Sequence, residues 1–303
     1  MLVKLILNSS AVMLVFYAVA LLTLSASQLQ CTPVQNANTK LLIDKRNLID
    51  LTCFGERIFG NPDRAVGEKL SKLEEHATLN PEELGPYLEG DLLIPHGKKI
   101  IYRNGLIAYS ARWPRGIVPY EIEGRFTEKE LAMINNAFKE YHSTTCVRFK
   151  PRSTERDYIA ITGDSTGCWA SVGRLGGKQV VNLQPALCFR HYGTSMHELM
   201  HALGFLHEQN RPERDSYVRV LSQNVKNGMM ANFEKGSSTE QYGYGVPYDY
   251  ASVMHYSKTS FSKNGKPTIE ALKQTSDARL MGQRNGFSKG DIAKLNAMYK
   301  CRV

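Results

Sequence analysis

The sequence contains no Cys-x-x-Cys pair and no internal repeat. After its first 24 residues, no apolar run approaches the roughly 20 residues that a membrane-spanning helix requires. Beyond residue 103 it also lacks an Asn-x-Ser/Thr sequon. These absences argue against zinc held in a cysteine clip, a repeat architecture, a stable membrane anchor in the mature chain and N-linked glycan on it. The basic residues are scattered without interleaved aromatics, which removes nucleic acid as a partner. What remains is ordinary for a folded protein: 303 residues, 42% of them apolar, enough for a substantial core.

Lys4 is the only charge in the first 39 residues, Ala11 to Leu24 is an apolar run, and Ser25, Ala26 and Ser27 are small. This pattern predicts a signal peptide over 1–27 and a secreted, extracellular product. Export to an oxidising compartment lets all six cysteines pair. They fall into two groups, Cys31 and Cys53 against Cys146, Cys168, Cys188 and Cys301. Residues 28–103 carry 10 basic and 11 acidic side chains, whereas 104–303 carry 27 and 18, so the second part holds the positive charge. Lys98, Lys99 and Arg103 lie beside the turn formers Gly97, Asn104 and Gly105. We read 28–103 as a removable prosegment, with a flexible linker as the alternative, and 104–303 as the main domain.

Within that domain Thr127 and Glu130 form a capping box, followed by Leu131, Ile134, Phe138 and Tyr141 at helical spacing. Residues 147–149, 158–161 and 179–183 are short strand-like runs. A last helix is expected after Ser288, boxed by Asp291, with Ile292, Leu295 and Tyr299 on one side. The order of elements predicts an α+β domain.

Residues 197–207 read HELMHALGFLH. On a helix His197 and His201 project from one face a turn apart, close enough to hold one metal ion. Glu198 is offset by about 100° and can reach a metal-associated water as a general base. Gly204 can adopt positive φ, end the helix and let His207 swing back as a third ligand. Three neutral imidazoles leave Zn²⁺ its full charge and an open position, which lowers the pKa of water there toward about 7. The expected cofactor is one zinc ion per chain.

Further on, SVMHY at 252–256 resembles the Met-turn of the metzincins, a likeness that implies Met254 is the apolar floor of the zinc site. HELMHALGFLHEQNRPERD with SVMHY resembles the astacin family of zinc endopeptidases within the metzincins, and the likeness covers essentially all of 104–303. CWASVGR at 168–174, Cys301, and Trp113 with Pro119 and Tyr120 add to it. The resemblance implies a two-subdomain catalytic domain with a mixed, twisted sheet and an active-site helix, made as a zymogen and hydrolysing peptide bonds of proteins.

Residue by residue, the resemblance implies that Tyr256 is a displaceable zinc ligand whose hydroxyl stabilises the oxyanion, and that Glu208 receives the amino group freed by cleavage between Arg103 and Asn104. It implies pairing of Cys146 with Cys301 and of Cys168 with Cys188; it assigns no partner to Cys31 or Cys53, whose pairing with each other stays open. LEGD at 88–91 is similar to the FxGD element of family prosegments, with Leu88 in place of Phe, and implies that Asp91 occupies the zinc until processing. Arg284 corresponds to a position that lines the first pocket beyond the scissile bond in some members, implying an acidic preference there. His191 and His255 are expected to take hydrogen-bonding or exposed roles, not a fourth imidazole position.

A substrate is expected to lie extended along an edge strand, which the resemblance places near 168–174. Partners are therefore protein or peptide substrates and an activating protease, and the net charge of +9 favours anionic glycans or proteins through a field that salt would screen. A zinc-stabilised binding protein without turnover is the competing class, and a basic glycan binder a third.

Overall fold

A computed structural model describes residues 49–50, 59–72, 79–95, 106–107, 112–236 and 243–302, which all belong to one unit, Gln35–Val303. The expected signal peptide, Cys31, Cys53 and the Arg103–Asn104 bond lie outside the described residues. No helix among the described residues is long and apolar enough to cross a membrane.

Helix α1 (Arg64–Ser71) precedes a five-stranded sheet of β1 (Ile117–Ile122), β2 (Arg148–Pro151), β3 (Tyr158–Thr162), β4 (Cys168–Ala170) and β5 (Lys178–Leu183). Spatial order is β2-β1-β3-β5-β4. All neighbours are parallel except the edge strand β4, which runs antiparallel to β5. Helix α2 (Glu128–Thr144) begins at the expected capping box, with the Thr127 side chain accepting from the Glu130 amide and Glu130 reaching back to the Thr127 amide. Its Ile134, Phe138 and Tyr141 are buried, and Phe138 and Tyr141 pack on Phe149 of β2. Burying side chains of this size contributes roughly 1.5–3 kcal/mol each.

Helix α3 (Tyr192–Ala202) carries the histidine motif. The Tyr141 hydroxyl donates to Met196 O at 2.8 Å and ties the two helices together. At the C-terminus of α3, distant donors reach the last carbonyls: Gly173 N on His201 O, which also accepts from Gly204 N, Trp113 Nε1 on Ala202 O and the Tyr299 hydroxyl on Leu203 O. Gly204 follows at φ +110°, a conformation that β-carbon sterics deny most residues, and turns the chain toward His207. The helix end that positions the second and third histidines is thus held from three sides.

A second apolar core includes Val218, Phe233, Phe261 and Met281, with the short ladder of β6 (Val218–Val220) and β7 (Ile269–Ala271) at its side. Helix α4 (Lys289–Tyr299) closes the domain from the predicted Ser288–Asp291 box. Disulfides join Cys146 to Cys301 and Cys168 to Cys188. The second staples the edge strand to the segment that leads into α3.

Candidate active site

His197, His201 and His207 converge on one point with Asp91, all four fully buried, their donor atoms within 4.8 Å of one another. Nδ1 of His197 lies 2.8 Å from Val253 O, and Nδ1 of His201 lies 2.7 Å from Phe205 O. A carbonyl only accepts, so both Nδ1 atoms carry the proton. Burial, then the positive charge of Arg284, hold the His197 pKa well below its ordinary value, so that ring is neutral. Its Nε2 is a bare lone pair, 3.0 Å from His201 Nε2 and 2.9 Å from Asp91 Oδ2. Acceptors crowded together in this way require a cation among them.

The spacing also fits zinc. A tetrahedron of bonds about 2.0–2.1 Å long has edges of roughly 3.3 Å. Here Asp91 Oδ2 lies 2.9 Å from His197 Nε2 and 3.3 Å from His207 Nε2, and Oδ1 of the same carboxylate lies 3.5 Å from His201 Nε2. Asp91 Oδ1 and His207 Nε2 have no hydrogen-bond partner among the described residues, leaving lone pairs for a metal. Burial opposes ionisation of Asp91, but positive charge on the neighbouring His207 and His201 rings outweighs it and lowers its pKa well below the usual range. For His207, burial is outweighed in the other direction by Asp91 and Glu89, which raise its pKa to about 10. A proton and a zinc ion compete for that ring nitrogen.

Glu198 is fully buried beside this cluster, and neither of its carboxylate oxygens has a hydrogen-bond partner among the described residues. Burial first, then the negative charges of Asp91 and Glu82, raise its pKa well above that of an ordinary carboxyl. Met254 is buried in a turn that Asp291 holds through Ser252 Oγ and Val253 N, at 2.5 and 2.8 Å. Val253 O orients His197, and Met254 O accepts from Glu208 N. Tyr256 packs on the His207 ring, and its hydroxyl donates to Glu89 O at 2.7 Å. Both ring nitrogens of His255 are engaged elsewhere, with the Tyr248 hydroxyl and with Tyr256 O.

Two residues have surroundings that sequence reading did not anticipate. Arg284, expected to line an open pocket, is buried, with Nε 2.5 Å from Glu82 Oε1 and Nη2 3.5 Å from Glu83 Oε1. Glu83 also accepts from Ser257 N, Ser257 Oγ and Ser260 Oγ. Glu82 and Glu83 thus occupy the guanidinium's acceptor positions. The partner foreseen for Glu208, the amino group at Asn104, lies outside the described residues. Its carboxylate is shared by Lys294 at 2.7 Å, Arg211 at 2.9 Å and the Asp249 amide at 2.8 Å.

Residues 91–93 lie along the edge strand: Ala170 N donates to Asp91 O, Leu93 N donates to Ala170 O, and Leu92 pairs with Ala170 in the parallel sense. Upstream, Gly90 takes φ +94°, and a β-carbon there would stand 2.7 Å from Glu82 O. Glu82, Glu83 and Glu89 were not singled out from sequence. No local spacing could have revealed them, since their partners lie 118 to 202 residues away.

The family model for astacin, a peptidase family, matches residues 106–300. Zinc metalloproteinase nas-4 of Caenorhabditis elegans is 42% identical over 226 residues, 72% of this chain and 70% of that protein. Zinc metalloproteinase nas-7 of the same organism is 38% identical, covering 80% of this chain and 61% of its own length. Zinc metalloproteinase nas-8 of Steinernema carpocapsae is 42% identical, covering 67% of this chain and 48% of its own length. Among solved structures, high choriolytic enzyme 1, a hatching enzyme zinc-protease from Oryzias latipes, is similar with a TM-score of 0.59 and 37% identity, over 64% of this chain and 97% of that one. With the family model spanning most of the chain and the donor set fitting zinc, this protein belongs to the astacin family of zinc metalloendopeptidases.

Proposed function

We propose that the chain is a secreted endopeptidase made as a latent precursor, in which His197, His201 and His207 hold zinc and Asp91 blocks it until an activating protease cuts near Arg103–Asn104. When bound, zinc supplies Lewis-acid polarisation of a water and of the scissile carbonyl. Glu198 accepts the water proton and passes it to the departing amine. The Tyr256 hydroxyl, once released from Glu89 O, donates to the oxygen that gains negative charge. Met254 and the Asp291-held turn keep His197 oriented, and Glu208 anchors the following segment to the Met254 carbonyl.

The single observation that carries this reading is the convergence of three imidazole nitrogens and the Asp91 carboxylate at zinc-like separations. Asp91 lies where a nucleophilic water would have to stand. The segment bearing it pairs with β4 in the parallel sense and so fills the edge along which an extended substrate is expected to lie. Departure of Asp91 and Glu82 also removes two negative charges that keep the Glu198 pKa high, favouring the ionised base. Arg284, freed from Glu82 and Glu83, is suited to an acidic side chain of the substrate. The basic main domain favours anionic partners, glycans included.

Replacing Glu198 by Ala tests the assignment. The processed variant should keep one zinc per chain and lose peptide hydrolysis. Retained hydrolysis would remove Glu198 from its role, and a zinc-free wild type would remove the whole reading.

A further inference from the structure

The outer nitrogens of the three imidazoles are not held alike. His197 and His201 donate their Nδ1 protons to Val253 O and Phe205 O, carbonyls of the main domain that stay in place when the prosegment leaves. Nδ1 of His207 lies instead 2.7 Å from Oε2 of Glu89, in the prosegment, with both side chains at most 1% exposed. Hydrogen bonds from a ligating imidazole to a carboxylate fix the ring and raise its basicity, and losing one typically costs 10–100-fold in metal affinity.

Glu89 is built into this position. Its amide donates to Asn232 Oδ1 at 3.0 Å, its carbonyl accepts from the Tyr256 hydroxyl at 2.7 Å, and its φ of +51° is a left-handed conformation rare for a side chain of this kind. A residue held there despite that backbone cost is fixed by its surroundings.

We propose that Glu89 is a positioning residue for His207 that exists only in the precursor, so that the prosegment supplies the zinc site with an outer carboxylate on His207 as well as the blocking carboxylate of Asp91. This rests on the precursor reading above. Processing then removes the one outer partner that does not belong to the main domain, and the precursor retains its metal more firmly than Asp91 alone would achieve.

The test is zinc release from the loaded full-length precursor to excess chromophoric chelator, with cobalt-substituted samples read by their visible spectra. Glu89→Ala should release zinc roughly 10–100-fold faster than wild type. Glu89→Gln, which keeps an acceptor but not the charge, should fall between, and the cobalt bands of Glu89→Ala should shift. After processing, the variants and wild type are the same polypeptide and should release zinc at one rate. Tyr87→Phe removes a different prosegment anchor, the hydroxyl that donates to Thr166 O, and should release zinc as wild type does. Equal release from Glu89→Ala and wild-type precursors, or an equal acceleration in Tyr87→Phe, overturns the proposal. An Asp91→Ala precursor that remained latent would refute the blocking role, while the Glu89 release rates would still decide this one.

Discussion

Glu82→Gln in the unprocessed chain should make the precursor leak. Glu82 and Arg284 form an ion pair at 2.5 Å with side chains no more than 1% exposed. Removing one partner of such a pair costs about 3–5 kcal/mol, because the survivor is left charged and dry. Glu83, whose Oε1 lies 3.5 Å from Arg284 Nη2, compensates part of that loss, so the lower end, about 3 kcal/mol, applies. At about 1.4 kcal/mol per factor of ten, the population with a displaced prosegment rises roughly 100-fold. The assay is hydrolysis of a fluorogenic peptide by purified precursor before and after processing. Basal activity of Glu82→Gln should rise by about that factor, while the processed forms, which no longer contain residue 82, should be indistinguishable. Arg284→Gln and the double variant complete a cycle whose coupling energy isolates the pair. A precursor as latent as wild type, with no coupling in the cycle, would refute the reasoning.

Tyr256→Phe in the processed enzyme should lower kcat roughly 100- to 1,000-fold with little change in KM and unchanged zinc content, measured by steady-state kinetics and metal analysis. Glu130 has a lowered pKa, because hydrogen bonds from the Ala186 and Thr127 amides and the Thr127 hydroxyl outweigh burial. Its contribution is therefore present above the unfolded carboxyl value of about 4.3 and is lost as pH falls through the lower folded value. Glu130→Gln should cost about 1 kcal/mol in denaturant melts at pH 7, and the gap from wild type should close in acid. Replacing both Cys168 and Cys188 by Ala should remove about 2–4 kcal/mol of stability in the same melts.

The cluster of three histidines is legible because a helix converts spacing into direction: residues four apart share a face whatever surrounds them, and a glycine three residues after His201 marks where the chain turns. The capping boxes at Thr127–Glu130 and Ser288–Asp291 are local in the same way, and both helices start where those boxes put them. Strand β1 was less legible, since Pro119 in its interior argues against a central strand. Pro119 stands opposite Lys150 of β2, one residue before pairing with β3 begins at Tyr120, and the strand proceeds. The three-residue strands β6 and β7 are too short for periodicity to register. Least legible were Glu82, Glu83 and Glu89, because each acts through a partner more than 100 residues away, and only the folded chain decides which acidic turn residue meets Arg284, Ser257 or His207. Arg284 illustrates the same point from the other side: its likeness to a pocket residue was visible, but its burial by Glu82 was not.

The central claim is that three imidazoles share one zinc ion with the Asp91 carboxylate in the precursor. X-ray absorption at the zinc edge of the intact precursor tests it most directly. We predict one zinc per chain, a first shell of nitrogen and oxygen at about 2.0–2.1 Å with scattering from three imidazoles, and a changed oxygen contribution in Asp91→Ala. A sulfur shell near 2.3 Å, fewer than three imidazoles, or a spectrum that Asp91→Ala leaves untouched would contradict the account.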